Sequence, residues 1–337
     1  MARTLDDLAA LSGVSRATVS RVINGGPVSE ETRARVLAVL SQSNYRPNLA
    51  ARSLASGRTG VVGVVMHVPP SMLFTDAYFS RLLEGMSDAL ADEAAGMMLW
   101  LGNRSKEETL EQILGMGLLD GVIVTADSLE DTLVDGLLAS DVPTVLVGHR
   151  RADLAASYVD IDNVQAADTI TTHLIELGRR RVGHISGRRG TVAGEDRLAG
   201  YLRAMDRAGL TTTDLVVEGD FNQPSGEVGA VELLDSGVDA IFGANDSTAA
   251  GALVVIAERG LVVPDDVAVA GFDDLDLAAG LGIPLTTIRQ GIEVQGREAA
   301  RALIQLLSDP AAGPRRVILP TELIIRRSSV GGAQQER

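Results

Sequence analysis

The chain has 337 residues, is 45% hydrophobic and contains no cysteine, which excludes disulfides and thiolate metal sites and fits a reducing compartment. No apolar run approaches the roughly 18 residues that cross a bilayer, and no apolar secretory signal is visible, so we expect a cytoplasmic protein without membrane contact. The net charge of −15 is unevenly distributed, because residues 1–60 hold eight arginines and four acids, a net +4, and the remainder carries −19. Such a basic head can neutralise DNA phosphates while an acidic body avoids nonspecific adhesion.

The first 45 residues predict three short helices. Thr4 and Asp7 form a capping-box-like start for the first helix, Gly13 permits the turn that follows it, and Ser29 caps the third helix. The apolar faces of the first and third helices are predicted from helical spacing to hold Leu5, Leu8, Ala9 and Leu11, and Val36, Leu37, Val39 and Leu40.

The second helix carries the surface around which this head is organised. Ser15 is a favourable N-cap, and Val19, Val22 and Ile23 recur at helical spacing to give one apolar face. The other face is short-chained and positively charged, with room to enter a major groove and donate hydrogen bonds to bases or phosphates. It carries Arg16, Ala17, Ser20 and Arg21. The pattern predicts a helix-turn-helix. The alternative for Ala17 is that it serves only as a good helix former.

Residues 45–57 predict a marginal helix after the head. Pro47 suits a helix start and Gly57 a helix end. Only about nine residues lie between them, too few for a stable isolated helix in water. The segment should therefore order only when another surface holds it, and an ordinary linker is the alternative.

From Val61 onward, short β-branched runs alternate with helical stretches. The predicted strands are residues 61–65, 121–124, 144–147, 182–185, 240–242 and 267–270. The predicted helices are about 79–95, 105–115, 129–139, 163–177, 195–208, 226–236 and 246–259. This α/β pattern implies parallel sheets with covered faces, and it runs twice, which predicts two doubly wound subdomains. Ligands in such folds bind beyond the carboxyl ends of the strands.

The chain resembles the lactose-repressor/galactose-repressor (LacI/GalR) family of bacterial transcription regulators over nearly its whole length. The motifs that carry the resemblance, in this order, are residues 13–24 (GVSRATVSRVIN), 28–33 (VSEETR), 45–48 (YRPN), 244–246 (AND), 271–274 (GFDD) and 284–290 (PLTTIRQ). Any one of them alone would be weak, but the ordered combination is highly specific.

The resemblance implies a homodimer that binds a near-palindromic double-stranded operator. Arg16, Ala17 and Arg21 match the family's base-contacting positions, Leu54 matches a hinge leucine that wedges into the minor groove, and the hinge helices of two subunits pair. The residues implied at the DNA are Thr4, Ser15, Arg16, Ala17, Thr18, Ser20, Arg21, Asn24, Tyr45, Asn48, Ala51 and Leu54.

The resemblance also implies the domain organisation. Residues 1–46 would be the helix-turn-helix domain, 47–59 the hinge helix and 60–330 an effector-binding and dimerisation domain of periplasmic-binding-protein type. Its N-subdomain would comprise about 60–161 and 291–320, its C-subdomain about 162–290 and 321–330, and 331–337 a polar tail. The tail lacks the leucine heptad that makes some members tetramers, so we expect a dimer.

The family pattern places a small-molecule effector, of the carbohydrate type, in a cleft between the subdomains. The implied contacts are Tyr78, Phe79, His149, Arg197, Phe221, Asn245 and Asp273. Structural roles compete at several positions: Phe79 as core, Arg197 as a surface ion pair, Asp246 as a helix cap and Asp274 as a turn residue. The four histidines lack metal-ligand spacing, so we expect no metal.

Two departures from the family pattern affect the effector. The loop at residues 66–77 is longer than usual, and Gly148 stands where several sugar-responsive members carry a ligand-binding acid. His149 or Arg150 is a possible substitute, and an arginine there would favour an anionic ligand. The sequence therefore leaves the identity of the effector open.

A periplasmic binding protein and an enzyme are the competing interpretations. The first needs an export signal and has no use for residues 1–60. For the second we find no dinucleotide, Walker or Gly-x-Ser-x-Gly motif, so no catalytic residue or cofactor is predicted. The expected function is a repressor whose subdomain angle changes when the effector binds, and induction is preferred over co-repression.

Overall fold

The structure is a computed structural model, and it describes residues 4–23, 26–43, 45, 58–101, 105–126, 128–150 and 155–331. The chain divides into two compact units, residues 1–59 and 60–337. Four of the predicted DNA-site residues, Asn24, Asn48, Ala51 and Leu54, lie outside the described ranges, as does most of the predicted hinge helix. No helix in the described part of the chain combines the length and the apolar character that crossing a membrane requires.

The first unit contains α1 (Leu5–Ser12), α2 (Arg16–Ile23) and α3 (Glu30–Ser41). A capping box between Thr4 and Asp7 begins α1, and the Ser29 side chain caps α3, as the sequence predicts. The fully buried core consists of Leu8, Val19, Val22 and Val36.

Two predicted core positions of this unit are wrong. Leu11 is 54% exposed and Leu37 is 49% exposed. At the end of α1 the buried position is instead Ser12, whose hydroxyl donates to the Leu8 carbonyl at 2.6 Å. A polar side chain can occupy the core side here because the helix's own backbone satisfies its hydrogen bond.

The second unit begins with β1 (Val61–Met66), α4 (Pro70–Thr75), α5 (Ala77–Asp92), β2 (Gly96–Leu101), α6 (Lys106–Met116), β3 (Gly121–Thr125), α7 (Thr132–Leu138), β4 (Thr144–Val147) and β5 (Ser157–Ile161). It continues with α8 (Asn163–Glu176), β6 (Val182–Ser186), α9 (Val192–Arg207), β7 (Val216–Glu218), α10 (Gln223–Asp235), β8 (Ala240–Gly243), α11 (Asp246–Glu258), β9 (Ala268–Ala270), α12 (Asp276–Gly280) and β10 (Thr287–Arg289). It ends with α13 (Ile292–Ser308), a short 3₁₀ turn (Pro310–Ala312), β11 (Arg316–Leu319) and β12 (Glu322–Ile324).

These strands form two parallel sheets, as the alternating pattern predicts. The first has the order β11-β5-β4-β3-β1-β2 and the second the order β7-β6-β8-β9. The short strands β10 and β12 pair antiparallel to each other. All six predicted strands and all seven predicted helices of this unit are present, with ends shifted by a few residues. The prediction missed β2, β5, β7 and β10 to β12.

Helix α13 returns the chain to the first sheet after the second is complete. It packs against α5 and against the side of the sheet that holds β3, β4 and β5. The backbones of α5 and α13 touch at two glycines: a Cβ on Gly85 would meet the Glu293 carbonyl, and one on Gly296 would meet the Leu82 carbonyl. This close packing fixes the start of α13 beside the ends of the first-sheet strands.

Candidate functional site

Helix α2 presents a positively charged surface to solvent. Val19 and Val22 are buried, and this orients the helix so that Arg16, Ala17 and Arg21 are exposed. The Ser15 hydroxyl caps the helix by accepting from the Thr18 amide at 3.1 Å. The pair of arginines around a short alanine is the arrangement that a major-groove helix needs, because long donors reach base edges while the small residue allows close approach.

The charge of this surface is available to a ligand. Arg16 lies 3.7 Å from Asp6, but both side chains are about two-thirds exposed, at 66% and 71%. An ion pair between such exposed groups contributes little to stability, so DNA phosphates can replace the carboxylate at small cost.

The other described residues of the predicted DNA site have structural contacts as well. The Thr4 hydroxyl accepts from the Asp7 amide at 3.2 Å, and Tyr45 packs against the core of the three helices. Thr18 and Ser20 are half-buried on α2. Their contacts with DNA stay a prediction.

The second unit contains a cavity at the carboxyl ends of both parallel sheets. Its volume is about 160 Å³, room for roughly ten water molecules or a small organic ligand. Six of the seven predicted effector residues line it: Tyr78, Phe79, Arg197, Phe221, Asn245 and Asp273. The cavity forms here because parallel strands end on one side of their sheet and the loops that follow them converge.

Arg197 is the central polar group of the cavity. Its side chain is 6% exposed, so the alternative of a surface ion pair is wrong. Nε donates to Oδ1 of Asn163 at 3.0 Å, Nη1 donates to the Ala244 carbonyl at 2.7 Å, and Oδ1 of Asp273 lies 3.5 Å away. The guanidinium carbon lies 3.7 Å from the centroid of the Phe272 ring. A buried guanidinium held in this way is a rigid donor for ligand hydroxyls.

Asp273 is buried beside Arg197 in a left-handed backbone conformation, with φ at 109°. Such a conformation is strained for an aspartate and is typical of functional positions. The Gln290 side-chain amide donates to its Oδ1. Burial raises the pKa of Asp273 to about 7, against the lowering effect of the Arg197 charge. The carboxyl is therefore near its titration point at neutral pH.

A hydrogen-bonded chain leads from Asp273 across the cavity wall to the first sheet. Gln290 donates to Asp273, Nε2 of Gln295 donates to Oε1 of Gln290 at 3.3 Å, and the Tyr78 hydroxyl donates to Oε1 of Gln295 at 3.3 Å. Burial raises the pKa of Tyr78, so its hydroxyl keeps its proton. These polar side chains tie the loop after β9 to helices α13 and α5.

Asn245 lines the cavity and also begins α11. Its Oδ1 accepts from the Thr248 amide at 2.9 Å, and its Nδ2 donates to the Phe221 carbonyl at 2.9 Å. The alternative role of Asp246 as the helix cap is therefore wrong, because the preceding asparagine caps the helix. Asp246 is fully buried and accepts from the Thr287 hydroxyl at 2.6 Å, and burial raises its pKa well above the usual value.

Three aromatic rings give the cavity its apolar surface. Phe221 has φ of 55°, and its ring packs directly over Gly187, where any Cβ would clash. Tyr78 and Phe79 meet edge to face with their centroids 5.3 Å apart. Phe79 also belongs to the core of the first sheet, so its structural role and its place in the cavity wall coexist.

His149 is the predicted effector residue that the structure does not bring to the cavity wall. Its Nδ1 lies 2.7 Å from Oδ2 of Asp160, and its ring stacks on Tyr158 with centroids 4.2 Å apart. Arg150 donates to Asp135 at 2.6 Å and is likewise absent from the cavity lining. Neither residue takes the place of the missing acid after β4.

An acid from the neighbouring strand lies in the cavity wall instead. Asp160 in β5 lies beside Gly148, whose amide donates to the Val159 carbonyl at 2.9 Å. Seven other polar residues of the cavity wall were not predicted from the sequence: Asp76, Thr125, Asn163, Arg188, Thr191, Gln290 and Gln295. For Asn163 and Gln290 the available signal was their position at predicted crossings between subdomains.

Two further ionisable residues of the second unit, Asp274 and His184, have structural partners. Asp274, with φ of 55°, accepts from Arg289 at 2.7 Å and from Arg326 at 2.6 Å. His184 is fully buried, with Nδ1 at 2.9 Å from the Phe242 carbonyl. Within the described ranges, no group of three or more histidine or acidic side chains is arranged to hold a metal ion.

Two family models match the chain. The model for bacterial regulatory proteins of the lacI family matches residues 4–48, and the model for a periplasmic binding protein-like domain matches residues 171–329. The chain is 38% identical over 332 residues to the HTH-type transcriptional regulator CelR of Thermobifida fusca, which covers 96% of this chain and 98% of that protein. It is 32% identical over 334 residues to catabolite control protein A of Priestia megaterium, with 97% and 99% covered.

Solved structures agree with these matches. The complex of the transcriptional regulator CelR with cellobiose has a TM-score of 0.76 at 37% identity and covers 97% of this chain and 99% of that chain. The lac repressor dimer bound to operator and the anti-inducer ONPF has a TM-score of 0.87 at 27% identity and covers 98% and 100%. The protein therefore belongs to the lacI family of bacterial transcription regulators.

Proposed function

We propose that this protein represses transcription by binding a near-palindromic operator as a homodimer, and that a sugar in the cavity of the second unit releases it. The observation that carries the proposal is that one chain holds both an arginine-bearing helix-turn-helix surface and a cavity built around the buried Arg197. The lac repressor relative is a dimer on its operator, and the CelR relative binds cellobiose. We propose that the protein has no catalytic activity. We also propose that it acts in the cytoplasm, because a bacterial operator lies there.

At the DNA, we propose that Arg16 and Arg21 read bases or phosphates in the major groove and that Ala17 contacts a thymine methyl. Ser15, Thr18 and Ser20 would hold phosphates. The exposure of α2's charged face supports this assignment. Residues 1–46 would form the DNA-binding domain and 47–59 the hinge helix, in which Leu54 would widen and kink the minor groove.

The second unit offers an apolar face for a second copy of the chain. Strand β2 is the edge of the six-stranded sheet, and its Met97 and Leu99 are 39% and 37% exposed. Leu114, Met116 and Leu118, in and just after α6, are 42–48% exposed. An uncovered apolar sheet edge is a liability for a free monomer, so this surface supports a homodimer.

Sheet membership supports the proposed division into subdomains. The N-subdomain, about 60–161 and 291–320, would hold the first sheet with α13 and β11. The C-subdomain, about 162–290 and 321–330, would hold the second sheet, and 331–337 a polar tail. A sugar in the cavity would contact both, and the chain from Asp273 through Gln290 and Gln295 to Tyr78 would carry the change between them. A coupling of about 1–3 kcal/mol between sugar and operator is typical of such linkage.

Operator binding tests the DNA-binding part of the proposal. The operator would be selected from genomic fragments, and its affinity measured by fluorescence anisotropy with the full chain. Arg21→Ala should weaken operator binding by about 1–3 kcal/mol and relax specificity at one base pair. Arg301→Ala is the matched control, because that arginine is 55% exposed on α13 and, within the described part of the chain, forms an ion pair only with Glu298. Equal losses in the two variants would contradict the base-reading role.

Sugar response tests the effector part. Addition of cellobiose, maltose, lactose or glucose should weaken operator binding by the wild type. Arg197→Lys keeps the charge but loses the planar fork, so it should abolish the response while sparing operator affinity. A normal sugar dose response in this variant would contradict the role of Arg197.

A further inference from the structure

The long loop between β1 and α5 delivers an acid into the cavity. The loop folds into α4, and Val68, Met72 and Asp76 from this segment line the cavity wall. Leu73 anchors α4, because its side chain is 5% exposed in the core of the first sheet. The segment is therefore a fixed part of the wall that faces any ligand.

One carboxylate oxygen of Asp76 forms a hydrogen bond within the protein, and the other is available to a ligand. Oδ1 accepts from the Tyr78 amide at 2.9 Å and caps α5. Among the residues that the structure describes, Oδ2 has no hydrogen-bond partner. Burial raises the pKa of Asp76, and the hydrogen bond from the Tyr78 amide and the Arg197 charge offset this only in part. A partly buried, half-satisfied carboxylate gains most from a ligand that donates a hydrogen bond to it.

The cavity wall holds more acidic than basic side chains. Of the described residues that line it, three are acids, Asp76, Asp160 and Asp273, and two are arginines, Arg188 and Arg197. Asp160 accepts from the His149 amide at 3.1 Å and lies 2.7 Å from its Nδ1, so of these described acids Asp76 and Asp273 are the ones that face a ligand without a histidine partner. Arg188 donates to Asp220 at 2.6 Å. Arg197 already donates to Asn163 and Ala244 and faces Asp273.

Asp76 and Asp273 also repel each other. The Asp76 charge is one of the causes that raise the pKa of Asp273. An anionic ligand would add a third negative charge to this region, whereas hydroxyl groups would satisfy the unpaired oxygen.

We propose that Asp76 is a specificity-determining residue, which accepts a hydrogen bond from a hydroxyl of an uncharged saccharide and excludes saccharides that carry a carboxylate or a phosphate. This inference deepens the proposed function and depends on its saccharide effector. It corrects the expectation that an arginine beside Gly148 favours an anionic ligand, because Arg150 lies outside the cavity lining and Asp160 lies within it.

The test compares neutral and anionic sugars of nearly the same shape. Cellobiose and cellobiouronate, and glucose and glucuronate, differ by a hydroxymethyl group against a carboxylate on an intact ring. Affinities of the full-length protein are measured by calorimetry at about pH 8, above the pKa of about 7 of Asp273. For the pair that it binds, the wild type should bind the neutral sugar about tenfold or more tightly than the uronate, since a ligand carboxylate beside Asp76 and Asp273 places like charges together.

Asp76→Asn isolates the charge, because asparagine caps helices as well as aspartate does and should preserve α5. It should bind the neutral sugar about tenfold more weakly, and its preference should fall to about threefold or less. Asp88→Asn is the matched control on the same helix, with a side chain that is 61% exposed. It should match the wild type in both values.

The possible results distinguish the role of Asp76 from the saccharide effector itself. Tight binding of the uronates by the wild type, or an unchanged preference in Asp76→Asn with an unchanged melting temperature, would overturn the role of Asp76 and leave the saccharide effector intact. Binding of none of the four sugars, and no effect of any on operator affinity, would contradict the saccharide effector itself, and the role of Asp76 would fall with it.

Discussion

Replacing Asp273 by asparagine should raise the stability of the protein at neutral and alkaline pH. The Asp273 carboxyl is 5% exposed, and its backbone φ is 109°. Its nearest cation, Arg197, lies 3.5 Å away and is shared with the Asn163 and Ala244 oxygens. The ionised carboxylate is thus incompletely compensated. An amide of the same shape can still accept from Gln290 and needs no counter-charge.

The size of the effect follows from the pKa of Asp273. Burial raises this pKa from 3.8 to about 7, and at about 1.4 kcal/mol per pKa unit the ionised form costs about 4 kcal/mol. Because the folded pKa is higher than the unfolded one, the folded state binds the extra proton. This contribution to stability is complete below the unfolded pKa and is lost as pH rises through about 7.

The assay is urea denaturation followed by circular dichroism and by the fluorescence of Trp100, the only tryptophan. The free energy of unfolding of Asp273→Asn, relative to the wild type, should increase by about 2–3 kcal/mol between about pH 5 and about pH 8.5. Asp246 and Asp76 titrate in both proteins, so their contributions largely cancel in this difference. The variant should also lose its sugar response. Together the two results would show that Asp273 serves sugar binding and lowers the stability of the folded protein.

The neighbouring acid supplies the control. Asp274 accepts from Arg289 and Arg326 through its two oxygens. Asp274→Asn removes one of these hydrogen bonds and takes the negative charge from the other, so it should lower the free energy of unfolding by about 1.5–3 kcal/mol. If Asp273→Asn also destabilises at about pH 8.5, or if its effect is the same at both pH values, the argument from burial is refuted.

Two further predictions concern buried residues of β6 and α8 in the second unit. His184 is fully buried, and burial lowers its pKa to about 4. Its contribution to the free energy of unfolding should therefore be fully present above about pH 6.5 and fall by about 3 kcal/mol as pH drops to about 4. In His184→Gln this part of the pH dependence should vanish, as measured by urea denaturation. Asp168 accepts from Arg207 and Arg203, which lower its pKa to about 2. Asp168→Asn should therefore lower the free energy of unfolding by about 1–3 kcal/mol at neutral pH. In thermal melts this loss of stability should shrink as pH falls below about 4.

Local patterns were sufficient for most of the secondary structure. Runs of β-branched residues gave the central strands, and capping residues such as Ser29 and Thr4 gave helix starts, because both signals depend on neighbours within a few residues. Strand β5 was missed because its Ser157 and Asp160 interrupt the apolar run, although every residue of the strand is buried. Strand β2 was missed because it lacks β-branched residues and lies at the sheet edge.

The cavity wall shows where local patterns stop being informative. Gly148 reaches the wall and His149 does not, because the His149 ring is held 2.7 Å from Oδ2 of Asp160 and stacks on Tyr158. The acid at this place comes from β5, which is next to β4 in the sheet. Asp76, Gln290 and Gln295 are far apart in sequence, and only the packing of α5 against α13 brings them to one site.

By itself, the sequence determined the basic head, the exposed face of α2, the two parallel sheets and, through its resemblance to the family, six of the residues that line the cavity. These features depend on composition, short-range periodicity and ordered motifs. Only the tertiary structure decided which carboxylates face the cavity and which cations are already engaged, because a charge acts through its neighbours in space and through its burial. This balance of charge, set by chain segments up to 200 residues apart, is what favours a neutral ligand over an anionic one.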